Sequence, residues 1–137
     1  MDLLARREHS RRELKHKLKK RFTDEQLIDE QLDRLAEDKL QSDARFAESF
    51  LRQRMGRGHG PLRIRQEMRQ RGISDGEIAA AMEAERPDWF VLAEQTYRRK
   101  FGTDPVEDIR EKSRRCRFMQ YRGYSSDHYQ HLLGDSW

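Results

Sequence analysis

Residues fifty positions apart in this chain correspond, and that correspondence narrows the folds open to it more than any other feature. Leu14 matches Ile64, Leu18 matches Met68, Ile28 matches Ile78 and Leu32 matches Met82. Polar positions follow the same register: Lys15 with Arg65, Lys19 with Arg69, Arg21 with Arg71, and Ser10 with Gly60. At an offset of 51, Met68, Gly72, Ile73, Ile78 and Met82 meet Met119, Gly123, Tyr124, Tyr129 and Leu133. A period of this length marks stacked supersecondary units, none of which buries its apolar face alone. Apolar residues recur at helical spacing, and no stretch alternates with the period of two that a strand requires. The pattern predicts an all-α chain.

Start signals fall at matching places. Ser10-Arg-Arg-Glu13, Thr23-Asp-Glu-Gln26 and Ser74-Asp-Gly-Glu77 fit capping boxes, in which side chains satisfy the free N–H groups at a helix start. Asp104-Pro105 offers an N-cap and a first-turn proline, Pro87 reads the same way after Arg86, and Ser42 and Ser125 are further caps. Helices are expected at 10–20, 24–38, 43–56, 61–71, 75–85, 88–101, 105–121 and 126–133, with a short leading turn at 2–7. The repeat groups them into tandem three-helix units at 1–57, 58–102 and 103–137. The third is partly degenerate, because Cys116 and Gln120 stand where Arg65 and Arg69 do. A unit of this size is marginal alone, so neighbours support one another, and an elongated, curved molecule is expected.

Composition agrees with thin, shared cores. The chain is 34% apolar and 39% charged, against roughly 45–50% and 25% in ordinary domains. One cysteine, Cys116, excludes an internal disulfide framework and suits a reducing cytoplasm. No signal peptide is visible, and no apolar run approaches the ~20 residues of a membrane span. The net charge of +4 hides a stronger pattern: residues 1–22, 23–51, 52–71, 72–94 and 95–137 carry +6, −6, +6, −5 and +3. Such blocks create local fields that suit an anionic partner for the basic segments.

Residues 57–74 concentrate that pattern. A Gly-rich stretch, Arg57-Gly-His-Gly, runs into Pro61; Ile64 and Met68 form a buried stripe, Arg65 and Arg69 flank it four apart, and Gly72 stops the helix. A ridge for something acidic and a plain solvated face are both open for this segment. Gly58 and Gly60 before a helix start resemble a phosphate cradle, but the preceding strand that nucleotide-binding loops need is missing, so a helix cap is expected. His128 and His131 lack a third metal ligand, and Cys116 lacks a catalytic companion. The acid row Asp24, Asp29, Asp33, Asp38 fits a solvated helix face. No active site, metal or cofactor is expected. Phe46, Trp89, Phe90 and Tyr97 read as core, and Arg45 and Arg63 as candidates for internal pairs with carboxylates.

Five stretches, in order, resemble the bacterial RecX regulators of the RecA recombinase across nearly the full length. They are Arg7–Leu14, Asp43-Ala-Arg-Phe-Ala47, Gly58–Met68, Asp88-Trp89 through Lys100-Phe-Gly102, and Arg117–Tyr124. The resemblance implies tandem three-helix repeats and no catalysis. It also implies direct binding to RecA and docking into the RecA–DNA filament. Inhibition of ATP hydrolysis and strand exchange would follow, by blocked extension or by disassembly. A monomer is expected, with weak binding to single- or double-stranded DNA and no membrane partner. The alternative is a basic helical protein that competes with RecA for DNA. The residues expected to touch the filament or its phosphates are Lys15, Lys19, Arg57, Arg63, Arg65, Arg69, Arg71, Arg115 and Arg122, with Arg114 and Arg117 in the same last cluster. A contact surface and a solvated face are both open for that cluster.

Overall fold

The computed structural model describes residues 8–38 and 41–134, and every regular element among them is helical. In chain order these are α1 (Arg11–Lys19), α2 (Glu25–Glu37), α3 (Asp43–Gly56), α4 (Pro61–Gln70), α5 (Asp75–Glu85), α6 (Trp89–Phe101), α7 (Ile109–Arg122) and α8 (Ser126–Tyr129). A 3-10 turn at Gln130–Leu133 follows α8 directly. The leading turn expected at 2–7 lies outside the described residues.

Capping side chains set most helix starts. Ser10 and Glu13 form a reciprocal box at α1. Ser42 Oγ accepts from the Arg45 N–H, and Ser74 Oγ from the Glu77 N–H. Three expectations shift. At α2 the cap is Asp24 rather than Thr23, because its carboxylate reaches the N–H groups of both Gln26 and Leu27. At α6 the cap is Asp88, while Arg86 takes a left-handed backbone (φ 46°) that keeps Pro87 outside the helix. At α7 the cap is Asp108, four residues beyond Asp104. The Asp104 carbonyl accepts from Arg115 instead, which holds the segment before α7 as a loop.

The chain folds as two compact units. One comprises Met1–Leu51 and Glu67–Glu85, the other Arg52–Gln66 and Arg86–Trp137. In the first, Leu14, Ile28 and Leu32 form a buried cluster, flanked by Leu18 and Leu35. Phe46, Ala47, Phe50 and Leu51 of α3 are buried as well, as the core reading of Phe46 requires. A groove of about 350 Å³ runs beside this cluster, with Phe22 and Leu27 exposed at its edge. In the second unit, Ala93, Tyr97, Phe101, Met119, Tyr124, Tyr129 and Leu133 make the core, and Trp89 packs on its margin. Phe90, expected there too, is 52% exposed. It lies in the first turn of α6, where its ring meets the imidazoles of His128 and His131.

The turn glycines explain the 51-residue repeat. Gly72 and Gly123 both end a helix with positive φ, 88° and 98°. In each case the N–H of the next residue returns to the carbonyl five residues back: Ile73 to Met68, and Tyr124 to Met119. This left-handed cap closes the helix and turns an apolar residue into the core. Ile73 and Tyr124 are accordingly buried.

Candidate partner-binding surface

Each unit contains one junction in which the start of a helix packs on such a turn. In the first unit the Ser10 hydroxyl donates to the Arg71 carbonyl (2.8 Å), and Arg12 lies against Gly72. In the second the Gly60 N–H donates to the Arg122 carbonyl (2.7 Å), the Leu62 N–H to the Gly123 carbonyl (3.0 Å), and Arg63 lies against Gly123. This accounts for the Gly-His-Gly-Pro stretch: a Cβ on Gly60 would fall 2.4 Å from the Gly123 carbonyl carbon. The N–H of Leu62, in the first turn of α4, is therefore taken by protein, so this is a packing device rather than a phosphate cradle.

The two junctions differ in charge. In the first, Arg71 is bound by the Glu13 carboxylate at 2.6 Å and covers the Phe50 ring. In the second, the equivalent Arg122 donates to the Arg57 carbonyl (2.9 Å) and lies over Phe118. Glu13 has Arg63 or Ile64 as its counterpart at offsets of 50 and 51, and neither is acidic. Residues 52–66 hold five arginines and no carboxylate, and residues 112–126 hold five cations and no carboxylate. The fold brings Arg57, Arg63 and Arg122 of these segments together. Arg63 donates to the Tyr121 carbonyl (3.4 Å), and its guanidinium sits 5.0 Å from the Tyr121 ring centroid. Tyr121 is 72% exposed, the most exposed large apolar side chain among the described residues, and Leu62 nearby is 54% exposed.

The other expected contact residues are placed differently. Lys15 pairs with Asp29 (3.0 Å) and Lys19 with Glu25 (2.9 Å), in a ladder with Arg11–Asp33. The acid row lies on a solvated face as expected, with Asp24, Asp33 and Asp38 exposed and Asp29 half-buried, and within it Asp24 is a cap while Asp29 and Asp33 pair with cations of α1. Arg69 pairs with Asp75 at the surface (2.8 Å). Arg65 is half-buried on α4, and Arg117 is exposed on α7. Arg45 is bound to Glu8 (3.2 Å), the internal pairing considered for it.

Arg115 is buried and structural. Its guanidinium donates to Glu111 (2.8 Å), the Tyr97 hydroxyl (2.7 Å) and the Asp104 carbonyl (2.9 Å), and packs on Phe101. Arg114 donates twice to the same carboxylate. Hydrogen bonds from Arg114, then Arg115, hold the Glu111 carboxyl down at about 2. The sequence shows four arginines in this cluster, but only packing separates Arg115 from Arg117. Nothing in the sequence singles out Tyr121 or Leu62, whose exposure depends on which helix faces the packing covers.

Comparison with known proteins fits this architecture. Family models described as RecX first, second and third three-helix domains match residues 1–35, 42–82 and 88–133. The second covers α3 to α5 and the third α6 to α8; a division at 57 and 102 groups α3 and α6 with the helices before them. The chain is 49% identical over 133 residues to the regulatory protein RecX of Ectopseudomonas mendocina, covering 97% of this chain and 89% of that one. It is 46% identical over 125 residues to the regulatory protein RecX of Halorhodospira halophila, covering 91% and 78%. Among solved structures, a crystal structure of regulatory protein RecX matches with a TM-score of 0.78 at 23% identity, over 96% of this chain and 66% of that one. The RecX structure from Lactobacillus salivarius gives 0.75 at 20% identity, over 96% and 88%. These two establish the fold; the sequence relatives establish the family. With three domain matches in order and relatives near half-identical along almost its whole length, this chain belongs to the RecX family.

Proposed function

We propose that this chain is a non-enzymatic negative regulator of the RecA recombinase. It binds RecA and the RecA–DNA filament in the cytoplasm and lowers ATP hydrolysis and strand exchange, by blocking filament extension or by promoting disassembly. Family membership supports the regulatory role. The observation that carries the choice of surface is the second junction: it repeats the architecture of the first with no counterpart of the Glu13 carboxylate, so it presents the stronger positive field. A nucleoprotein filament is anionic and repetitive, and several modest contacts along it add as avidity. Arg57, Arg63, Arg65 and Arg122 are the residues assigned to that contact. Lys15, Lys19 and Arg69 are secondary, because exposed ion pairs of about 0–1 kcal/mol exchange readily for a stronger anion.

The test is single-stranded-DNA-dependent ATP hydrolysis by the cognate RecA, titrated with this protein. Inhibition well below one chain per RecA subunit supports a filament regulator. Inhibition only near saturation of the DNA indicates simple competition for phosphates. An unaffected, verified active recombinase would refute the proposal.

A further inference from the structure

The second junction holds one feature that charge alone does not explain. Tyr121, in the last turn of α7, keeps nearly three quarters of its surface in solvent although it stands beside a packed helix crossing. Its ring is aligned by Arg63, whose guanidinium lies 5.0 Å from the centroid and also bonds the Tyr121 carbonyl. Arg63 is in contact with it, Arg122 follows it in the chain and donates to the Arg57 carbonyl, and residues 52–66 and 112–126 contain no carboxylate. Tyr and Arg are enriched at protein interfaces too, but the core of such an interface is depleted in charge overall. A basic surface with an exposed ring beside it matches the pairing used for unpaired nucleic acid. There, cations follow the backbone and aromatics take successive base faces.

From this we infer that Tyr121 is a stacking platform for an unpaired nucleobase, and that the Arg57–Arg63–Arg122 cluster holds the flanking phosphates. The site takes single-stranded nucleic acid in preference to duplex, because a base inside a duplex has both faces covered by its neighbours. Arg63 is a positioning residue as well as a cation, since it stacks on one side of the ring and fixes its direction. The inference rests on the proposed function for its location, since both use the second junction, but it concerns the chain acting without RecA.

The experiment is fluorescence anisotropy of the full chain, without RecA, on a labelled oligo-dT of about 16 nucleotides, the upper end of what one small domain occupies. A blunt duplex of the same length is run alongside. The wild-type chain binds the single strand more tightly. Tyr121→Ala loses about 5- to 150-fold on the single strand, the worth of one stacked base, and leaves duplex binding unchanged. Tyr121→Phe keeps the wild-type affinity, and Tyr121→Leu, apolar but without a π-face, behaves like the alanine variant. The salt dependence of Tyr121→Ala stays at the wild-type slope because the phosphate contacts survive. Unchanged single-strand affinity, equal losses on both substrates, or no preference for the single strand would overturn the inference. So would a Tyr121→Ala chain that loses RecA inhibition while keeping its DNA affinity, which would make the ring a protein contact. The proposed regulation of RecA is read separately, in the ATP hydrolysis titration, and can stand if this inference falls. Superimposable thermal melts of the three variants confirm that folding is untouched.

Discussion

Gly60 and Gly123 meet backbone to backbone: a Cβ on Gly60 would lie 2.4 Å from the carbonyl carbon of Gly123 and 2.6 Å from the Tyr124 nitrogen. Backbone cannot retreat from such a clash as a side-chain tip can. Gly60→Ala is therefore expected to destabilise by about 1–3 kcal/mol, the usual cost of overpacking. Gly76, in α5 with nothing within 4 Å of an added methyl, is the control. Gly76→Ala should stabilise by roughly 0.5–1 kcal/mol, through lost freedom in the unfolded chain and better helix propensity. Urea melts of the two variants check both signs.

Arg71 and Arg57 both look like surface cations in the sequence, yet they predict opposite phenotypes. Arg71→Met breaks a 2.6 Å bond to a largely buried Glu13 carboxylate. It should cost about 1–3 kcal/mol of stability while leaving inhibition of RecA per folded molecule intact. Arg57→Glu and Arg65→Glu disturb no such buried pair and should change stability by about 0.5 kcal/mol or less. The double charge reversal should nevertheless reduce inhibition severalfold. A folded Arg57→Glu/Arg65→Glu chain with full inhibition would remove these two residues from the contact.

Replacing Arg115 tests the interior of the second unit. Arg115→Met leaves the Glu111 carboxylate short of a partner and removes the donors to Tyr97 and Asp104. A thermal melt should show a loss of about 2–4 kcal/mol, whereas Arg117→Ala on the same helix should be neutral. Unfolding linked to Glu111 has a defined pH window. Its carboxyl is held at about 2 in the fold, below the ordinary 4.5, so its contribution is complete above about pH 4.5. The contribution declines below that and is gone once pH falls through about 2. Glu111→Gln should flatten the acid limb of the stability profile in that window.

His128 supplies a second pH dependence. Its Nδ1 accepts from the Ser125 N–H (3.3 Å), which closes the cap of α8 and requires a neutral ring. Burial lowers its pKa below the ordinary 6.5, with Asp127 opposing. The unfolded chain then binds the proton more readily, so this stabilisation is full above about pH 6.5 and shrinks as pH falls. Melts between about pH 7.5 and 5.5, the range around an ordinary histidine pKa, should show a steeper fall for wild type than for His128→Gln.

The helices were legible because their causes are local. Apolar spacing, Ser10 with Glu13, Ser42, Ser74 and the glycines at 72 and 123 all act within a few residues. At α7 a distant group moved the boundary: the Arg115 guanidinium, eleven residues on, takes the Asp104 carbonyl and defers the start of the helix to Asp108. The candidate surface was half legible. The arginines stand out in the sequence, but nothing in it distinguishes Arg71, tied to Glu13 fifty-eight residues away, from Arg57.

By itself, then, the sequence determined an all-helical repeat and the positions of its turns, because hydrophobic period and backbone conformation are short-range properties. Tertiary structure decided which cations are neutralised, since ion pairing depends on what packing brings within a few ångströms. It buried Arg115, left Tyr121 exposed, and brought the Glu13 carboxylate to Arg71 across fifty-eight residues. Charge is written along the chain, but whether it is available to a partner is a property of the fold.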